Sequence, residues 1–147
     1  MLFSMSVVSL LAGLASADSP LPFGQVGPNN AVLFFNGFHF VNGEMSHQMQ
    51  ANHHCAIISD NFIQCIIYDS NFVPSRLRGI EYIISKDAFT NLTAEEKQLW
   101  HSHSYEVTSG SLIEPGLPKT LVTRYGKPFH TWRWDECNNT LPLGIPN

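Results

Sequence analysis

Residues 55–85 read CAIISDNFIQCIIYDSNFVPSRLRGIEYIIS and hold three β-rich runs: CAIIS (55–59), FIQCIIYDS (62–70) and RGIEYIIS (78–85). Each is rich in isoleucine, two add tyrosine, and each is bounded by Asp, Asn, Ser or Pro, the composition and punctuation of strands. Their close spacing predicts an antiparallel meander. Cys55 and Cys65 are equidistant from Asp60. A hairpin loop centred on Asp60 sets the two cysteines opposite each other, within reach of a disulfide. A two-residue turn at Asp60-Asn61 instead sends them to opposite faces, as two buried thiols acting as small apolar residues. In an oxidising compartment Cys137 is then the thiol left over.

Upstream, Ala31 to Phe40 is apolar and aromatic and runs to a turn signal at Asn42-Gly43. Residues 44–53 are polar, and Met45 and Met49, four apart, suit a short amphipathic helix. Downstream, Phe89 to Trp100 reads as a helix, with Thr93 as N-cap and Glu96 completing a capping box. Residues 104–110 suit a further strand, and Glu114-Pro115-Gly116-Leu117-Pro118 a loop. Phe129 to Trp134 alternates as a last strand with His130, Trp132 and Trp134 on one face. The expected fold class is α+β: a single domain with an antiparallel sheet, a meander, and a few short helices on one side.

The 147 residues are 44% apolar and 14% charged, which is enough to close one core without metals or disulfides. Eight Lys+Arg against twelve Asp+Glu give a net charge of −4, with no basic patch to hold a phosphate backbone, so nucleic acid is excluded as a partner. Long charge runs, heptads and repeats are missing, which excludes a coiled coil and a solenoid. Residues 1–17, MLFSMSVVSLLAGLASA, form an uncharged apolar stretch ending in Ala15-Ser16-Ala17. That is the pattern of a cleaved signal peptide, with an uncleaved membrane anchor as the alternative. Residues 18–30, rich in Pro, Gly and Asn, form a flexible lead-in, and 31–147 the domain. The sequons at Asn91 and Asn138 are glycosylation candidates on a secretory route, although Thr93 also serves the capping box.

Seven histidines are more than a core of this size needs, and four stand close together: His53-His54 before Cys55, and His101-Ser102-His103 leading to Glu106. Neutral imidazoles with a carboxylate suit zinc, iron or manganese, or acid–base work near neutral pH. On a strand His101 and His103 point the same way, so both can reach one ion. Glu106, five residues on, joins them only through a bulge or bend. Adjacent His53 and His54 point apart, so at most one belongs to the set. The metal candidates are therefore His53 or His54, His101, His103 and Glu106, with Glu106 also the candidate catalytic base. The alternative is a buried hydrogen-bond network, with the histidines after Trp100 serving helix-end carbonyls. Glu81, inside an apolar run, either faces solvent or pairs with Arg76 or Arg78. His39, His47 and His130 read as structural. A Gly-rich phosphate loop, a Gly-x-Ser-x-Gly elbow and a Cys-x-x-Cys pair are missing.

Taken together, HHCA (53–56), FIQCIIYDS (62–70), RGIEYIIS (78–85), EEKQLWHSHSYEV (95–107), Tyr125-Gly126-Lys127, Thr131-Trp132 and LPLGIP (141–146) resemble, in collinear order, the oil body-associated proteins of plant seeds, fungi and bacteria. The family pattern has counterparts of His53, His54, Cys65, Glu81, Trp100, His101, His103, Tyr105 and Glu106. The resemblance implies association with lipid bodies and carries no established catalytic activity with it. The chain departs from the pattern in its leader, in a shorter stretch between Gly110 and Tyr125, and in stopping soon after LPLGIP.

The leading expectation is therefore non-enzymatic association with a lipid-body surface or a small apolar ligand. Residues 1–17, if uncleaved, would anchor the chain at a lipid droplet or the endoplasmic reticulum membrane. One alternative is a metal-dependent small-molecule enzyme (hydrolase, lyase or isomerase) using the His/Glu cluster. The other is a secreted interaction protein, bridged at 55–65 and carrying glycans.

Overall fold

The computed structural model describes residues 31–41, 44–113, 121–132 and 141–142. The expected leader (1–17), lead-in (18–30), turn at Asn42-Gly43, loop at 114–118, Trp134, Cys137 and the Asn138 sequon lie outside the described residues. Six strands are described: β1 (Leu33–Val41), β2 (Glu44–Ser59), β3 (Phe62–Tyr68), β4 (Leu77–Ile84), β5 (His101–Ser102) and β6 (Tyr125–His130). Three short helices accompany them: α1 (Lys86–Thr90), α2 (Ala94–Lys97) and α3 (Ser104–Ser109). The strands form one sheet in the order β1-β2-β3-β4-β6-β5, every pair antiparallel.

The fold is thus a curled antiparallel half-barrel, and the expected α+β arrangement is corrected: the helices hold only five, four and six residues. The expected helix at 44–53 is part of β2, a strand of 16 residues. Its register runs unbroken opposite β1 from His54 to Gln48, and Ala51, His53 and Cys55 lie buried on one face. The single helix expected at 89–100 is two, because Asn91 ends α1 and Thr93 restarts the chain, its hydroxyl accepting from the Glu96 N–H at 3.2 Å. The strand expected at 104–110 is α3, which ends on Gly110 at φ 78°, the left-handed conformation that glycine adopts without strain. The last strand spans Tyr125–His130 rather than 129–134.

The meander itself stands as β2-β3-β4. Its first turn is the two-residue Asp60-Asn61 type, with Ser59 opposite Phe62. A bulge between Ile57 and Ser59 shifts the register by one, so Ile57 faces Ile63 and Cys55 faces Cys65, and the two cysteines are bonded. After β5 the chain crosses the concave side as α3 and pairs with β1 through Asn36 and Ile113, with N–H to O distances of 2.9 and 2.7 Å. This crossing seals a core of Leu33, Phe35, Ile63, Ile83, Leu112 and Leu121 around the disulfide.

Candidate functional site

Alternation along the strands decides which polar groups meet. On β2 the face that buries Ala51 and Cys55 also carries His53; on β4 the face that buries Ile83 carries Glu81. His53 and Glu81 are 1% and 0% exposed. His54 turns the other way, its ring centroid 5.2 Å from Phe34 and 5.7 Å from Tyr68, so the structure does not bring it to the cluster.

Glu81 stands at the centre. Its Oε2 lies 2.9 Å from His53 Nε2, and its Oε1 3.3 Å from His103 Nε2 and 3.5 Å from His101 Nε2. His101 comes from β5 and is 34% exposed; His103, at the junction of β5 and α3, is 1% exposed. The bend that Glu106 needed is this passage from strand to helix, and it leaves Glu106 Oε1 3.8 Å from His101 Nε2 at the rim. Below them runs β6, where Gly126 is required. A Cβ there would collide with Glu81 Oε1 and lie 2.8 and 2.9 Å from Cε1 of His101 and His103.

His53 is held firmly. Its Nδ1 donates to the Ala51 carbonyl at 3.1 Å, and its ring stacks on Phe35 at 4.2 Å between centroids. His39 and His130, read as structural, extend the cluster along the concave face, sharing a hydrogen bond of 3.1 Å between Nδ1 and Nε2. Atoms able to ligate an ion lie within 4.8 Å of one another in two sets sharing Glu81: His39–His53–Glu81 and Glu81–His101–His103.

Burial pulls the His39 imidazole down to about 3, outweighing the Glu81 charge, and likewise takes His101 down to about 4. Burial would raise the Glu81 carboxyl, yet the hydrogen bonds and charges of His103 and His53 hold it well below the carboxylate range. For His103 the same partnership overcomes burial and raises the imidazole; burial pushes Glu106 up.

Glu81, expected in solvent or against Arg76 or Arg78, is instead the centre of the cluster, and both arginines pair with Asp69, at 3.5 and 3.4 Å. Parity was the available signal, because Glu81 is two residues from Ile83 and shares its face. Asn91, the other described glycosylation candidate, is exposed at the end of α1.

The opposite face of the same sheet carries an apolar groove. Phe62, Tyr82, Ile84 and Phe129, with Ala88, Leu92 and Trp100 from the helical segment, line an open groove of about 390 Å³ with Lys127 among them. Lys127 pairs with Glu96 at 2.6 Å.

Residues 27–147 match the family described as protein of unknown function (DUF1264). Among curated relatives, oil body-associated protein 1B of Arabidopsis thaliana is 42% identical over 118 residues, covering 75% of this chain and 48% of the relative. Oil body-associated protein 1A of Zea mays is 40% identical over 117 residues, covering 74% and 49%. Oil body-associated protein 2C of Arabidopsis thaliana is 38% identical over 143 residues, covering 92% and 58%. The chain therefore spans about half the length of the first two relatives. No solved structure matches it significantly.

Proposed function

This chain belongs to the DUF1264 family, and on that footing we propose that it associates with the surface of lipid bodies through the apolar groove on the outer face of its sheet, as a binding rather than a catalytic domain. The groove is the observation that carries this reading. A single-layer antiparallel sheet ordinarily turns polar residues to water, whereas here Phe62, Tyr82, Trp100 and Phe129 share a recess, and Phe129 is 50% exposed. Lys127 at this recess suits the phosphate headgroups that coat a lipid body. Among the described residues no helix is long and apolar enough to cross a membrane. Attachment through the described part of the chain would therefore be to a surface, and residues 1–17 would add an anchor if retained.

Flotation with phospholipid-coated triacylglycerol droplets tests this. The full chain is expected to float, and Trp100→Ala/Phe129→Ser to bind roughly tenfold or more weakly, because each aromatic side chain contributes about 1.5 kcal/mol or more when buried. Flotation that survives the double substitution but disappears without residues 1–17 would assign attachment to the leader and reject the groove.

A further inference from the structure

The groups around Glu81 close only in part as a hydrogen-bond network: His103 Nε2 bonds Oε1 at 3.3 Å, while Oε2 is left over. The Ala51 carbonyl can only accept, so His53 Nδ1 carries the proton, and Nε2 presents a lone pair to Glu81 Oε2 at 2.9 Å unless the ring is cationic. Both atoms are buried, and neither has a partner in hydrogen-bonding geometry. Two lone pairs so placed would repel, so the buried carboxylate needs a positive charge beside it, from a proton on the cluster or from an ion. On the other oxygen, His103 makes a hydrogen bond of 3.3 Å and His101 lies at 3.5 Å. Both are longer than the roughly 2.7–2.9 Å of strong charge-assisted bonds.

They are the right separations for co-ligands. Donor atoms about 2.0–2.2 Å from one ion, at angles between octahedral and tetrahedral, lie roughly 2.8–3.6 Å apart. The contacts of Glu81 Oε1 with His103 and His101, at 3.3 and 3.5 Å, fall in that range, and the ligating atoms of the three residues lie within 4.8 Å of one another. We infer that Glu81, His101 and His103 form a binding site for one divalent transition-metal ion, with His53 against the other carboxylate oxygen as the residue that fixes it.

Three features support the assignment. The ligands converge from β4, β5 and the β5–α3 junction onto a cradle kept open by Gly126, where a Cβ would occupy the space beside Glu81 Oε1. The carboxylate is backed by a fixed neighbour, as metal-bound carboxylates require: His53, against Oε2, is tied by its far nitrogen to a backbone carbonyl and clamped by its ring on Phe35. An entry path exists at the one partly exposed corner, where His101 meets solvent and Glu106 Oε1 lies 3.8 Å away. Two imidazoles with one carboxylate favour zinc, iron(II) or manganese(II) over calcium or magnesium, which prefer oxygen ligands. Glu106, at that open corner, is placed to hold a water on the ion rather than to be one of its buried ligands. The His39–His130 pair lies beyond His53, since His39 already shares its Nδ1 with His130.

The full chain, purified without thiol reductants, would be stripped with chelator, loaded in turn with Zn²⁺, Mn²⁺ and anaerobic Fe²⁺, and analysed by elemental mass spectrometry. Co²⁺ titration would be followed by its visible absorption. About one ion per chain is expected. Glu81→Gln tests the central ligand but strains the fold, so the deciding variant is His101→Gln at the exposed corner. It should remain folded by circular dichroism and bind Co²⁺ at least tenfold more weakly, the least loss expected when a metal-site group is removed. Glu106→Gln and His39→Gln should keep the ion. A folded chain that takes up no ion after loading would reduce the cluster to a buried proton-sharing network. Uptake unaffected by His101→Gln, or lost equally in His39→Gln, would place the ion elsewhere. Any of these outcomes overturns the assignment.

Discussion

Along β2, β3 and β4 successive side chains enter two opposite environments. Inward, His53, Cys55, Cys65 and Glu81 are almost fully removed from water. Outward, on the same strands, His54, Ile66, Ile80 and Tyr82 stay partly wet and line shallow recesses. An antiparallel sheet with one wet face ordinarily places polar residues outside and apolar ones inside; here His53 and Glu81 sit inside among the core residues, while Ile66, Ile80 and Tyr82 lie outside. Burying an ionisable cluster costs free energy, and leaving aromatic rings in water forgoes it. A chain that does both gives up stability on each face, and such local contradictions concentrate where function is. The inner face has the character of a rigid, pre-arranged polar centre, and the outer face that of a surface awaiting an apolar partner.

Removing the inner carboxylate is expected to break this contrast most severely. In the metal-stripped chain Glu81→Ala leaves His53 and His103 buried without their partner and should cost about 3–5 kcal/mol. Ile80→Ser, one residue away on the outer face, should cost no more than about 1 kcal/mol. Urea unfolding of the two variants measures both. Equal losses would mean that the two faces do not differ in the way the burial pattern implies.

Next in size is the covalent tie beneath the cluster. Replacing Cys55 and Cys65 together by serine frees a loop of ten residues' separation and should cost about 2–3 kcal/mol by loop entropy. The tie also shows where the sequence could be read and where it could not. The three isoleucine-rich runs and their meander were legible, because period and punctuation are local. The pairing of the cysteines was legible only as one of two alternatives, because the turn at Asp60-Asn61 taken alone forbids it. A bulge at Ile58, which no residue type announces, restores the register.

A smaller effect separates the faces by pH. His39 is held neutral, its imidazole down to about 3, chiefly by burial and also by the charges of His53, His130 and His101, against the pull of Glu81. Its folded value lies below the ordinary 6.5, so the unfolded chain takes up the proton first. Stability from this group is complete above about pH 6.5 and is lost as pH falls toward 3. With chelator present, the melting temperature should drop by several degrees between pH 7 and pH 5, and His39→Gln should flatten that slope. A slope unchanged by the substitution would assign the acid sensitivity to other groups.

The site was legible in part. His53, His101, His103 and Glu106 stood out because imidazoles are few and their spacing is short. Glu81 did not, since a single carboxylate in an apolar run is compatible with solvent, with an arginine partner or with a metal. Only the pairing of four strands, which is non-local, selects among these. The helices were misread for the opposite reason. Met45 and Met49 suggested a local period, but pairing of β2 with two neighbours outweighs the propensity of a polar segment.

The smallest expected change in stability sharpens the comparison furthest. Phe129 pairs across the sheet with Ile80, meets Tyr82 edge-on at 6.4 Å, and lies under the Lys127 ammonium at 5.9 Å, yet half of its surface is already in water. Truncation to serine therefore removes little buried area and should shift unfolding by no more than about 1 kcal/mol. If the outer groove exists for a lipid surface, the same substitution should still lower droplet flotation severalfold, because the ring becomes fully buried only on contact. Glu81→Ala should behave conversely, costing stability while a folded fraction still floats. A Phe129→Ser variant that unfolds like the Glu81 variant would mean that the groove is part of the core and has no surface role.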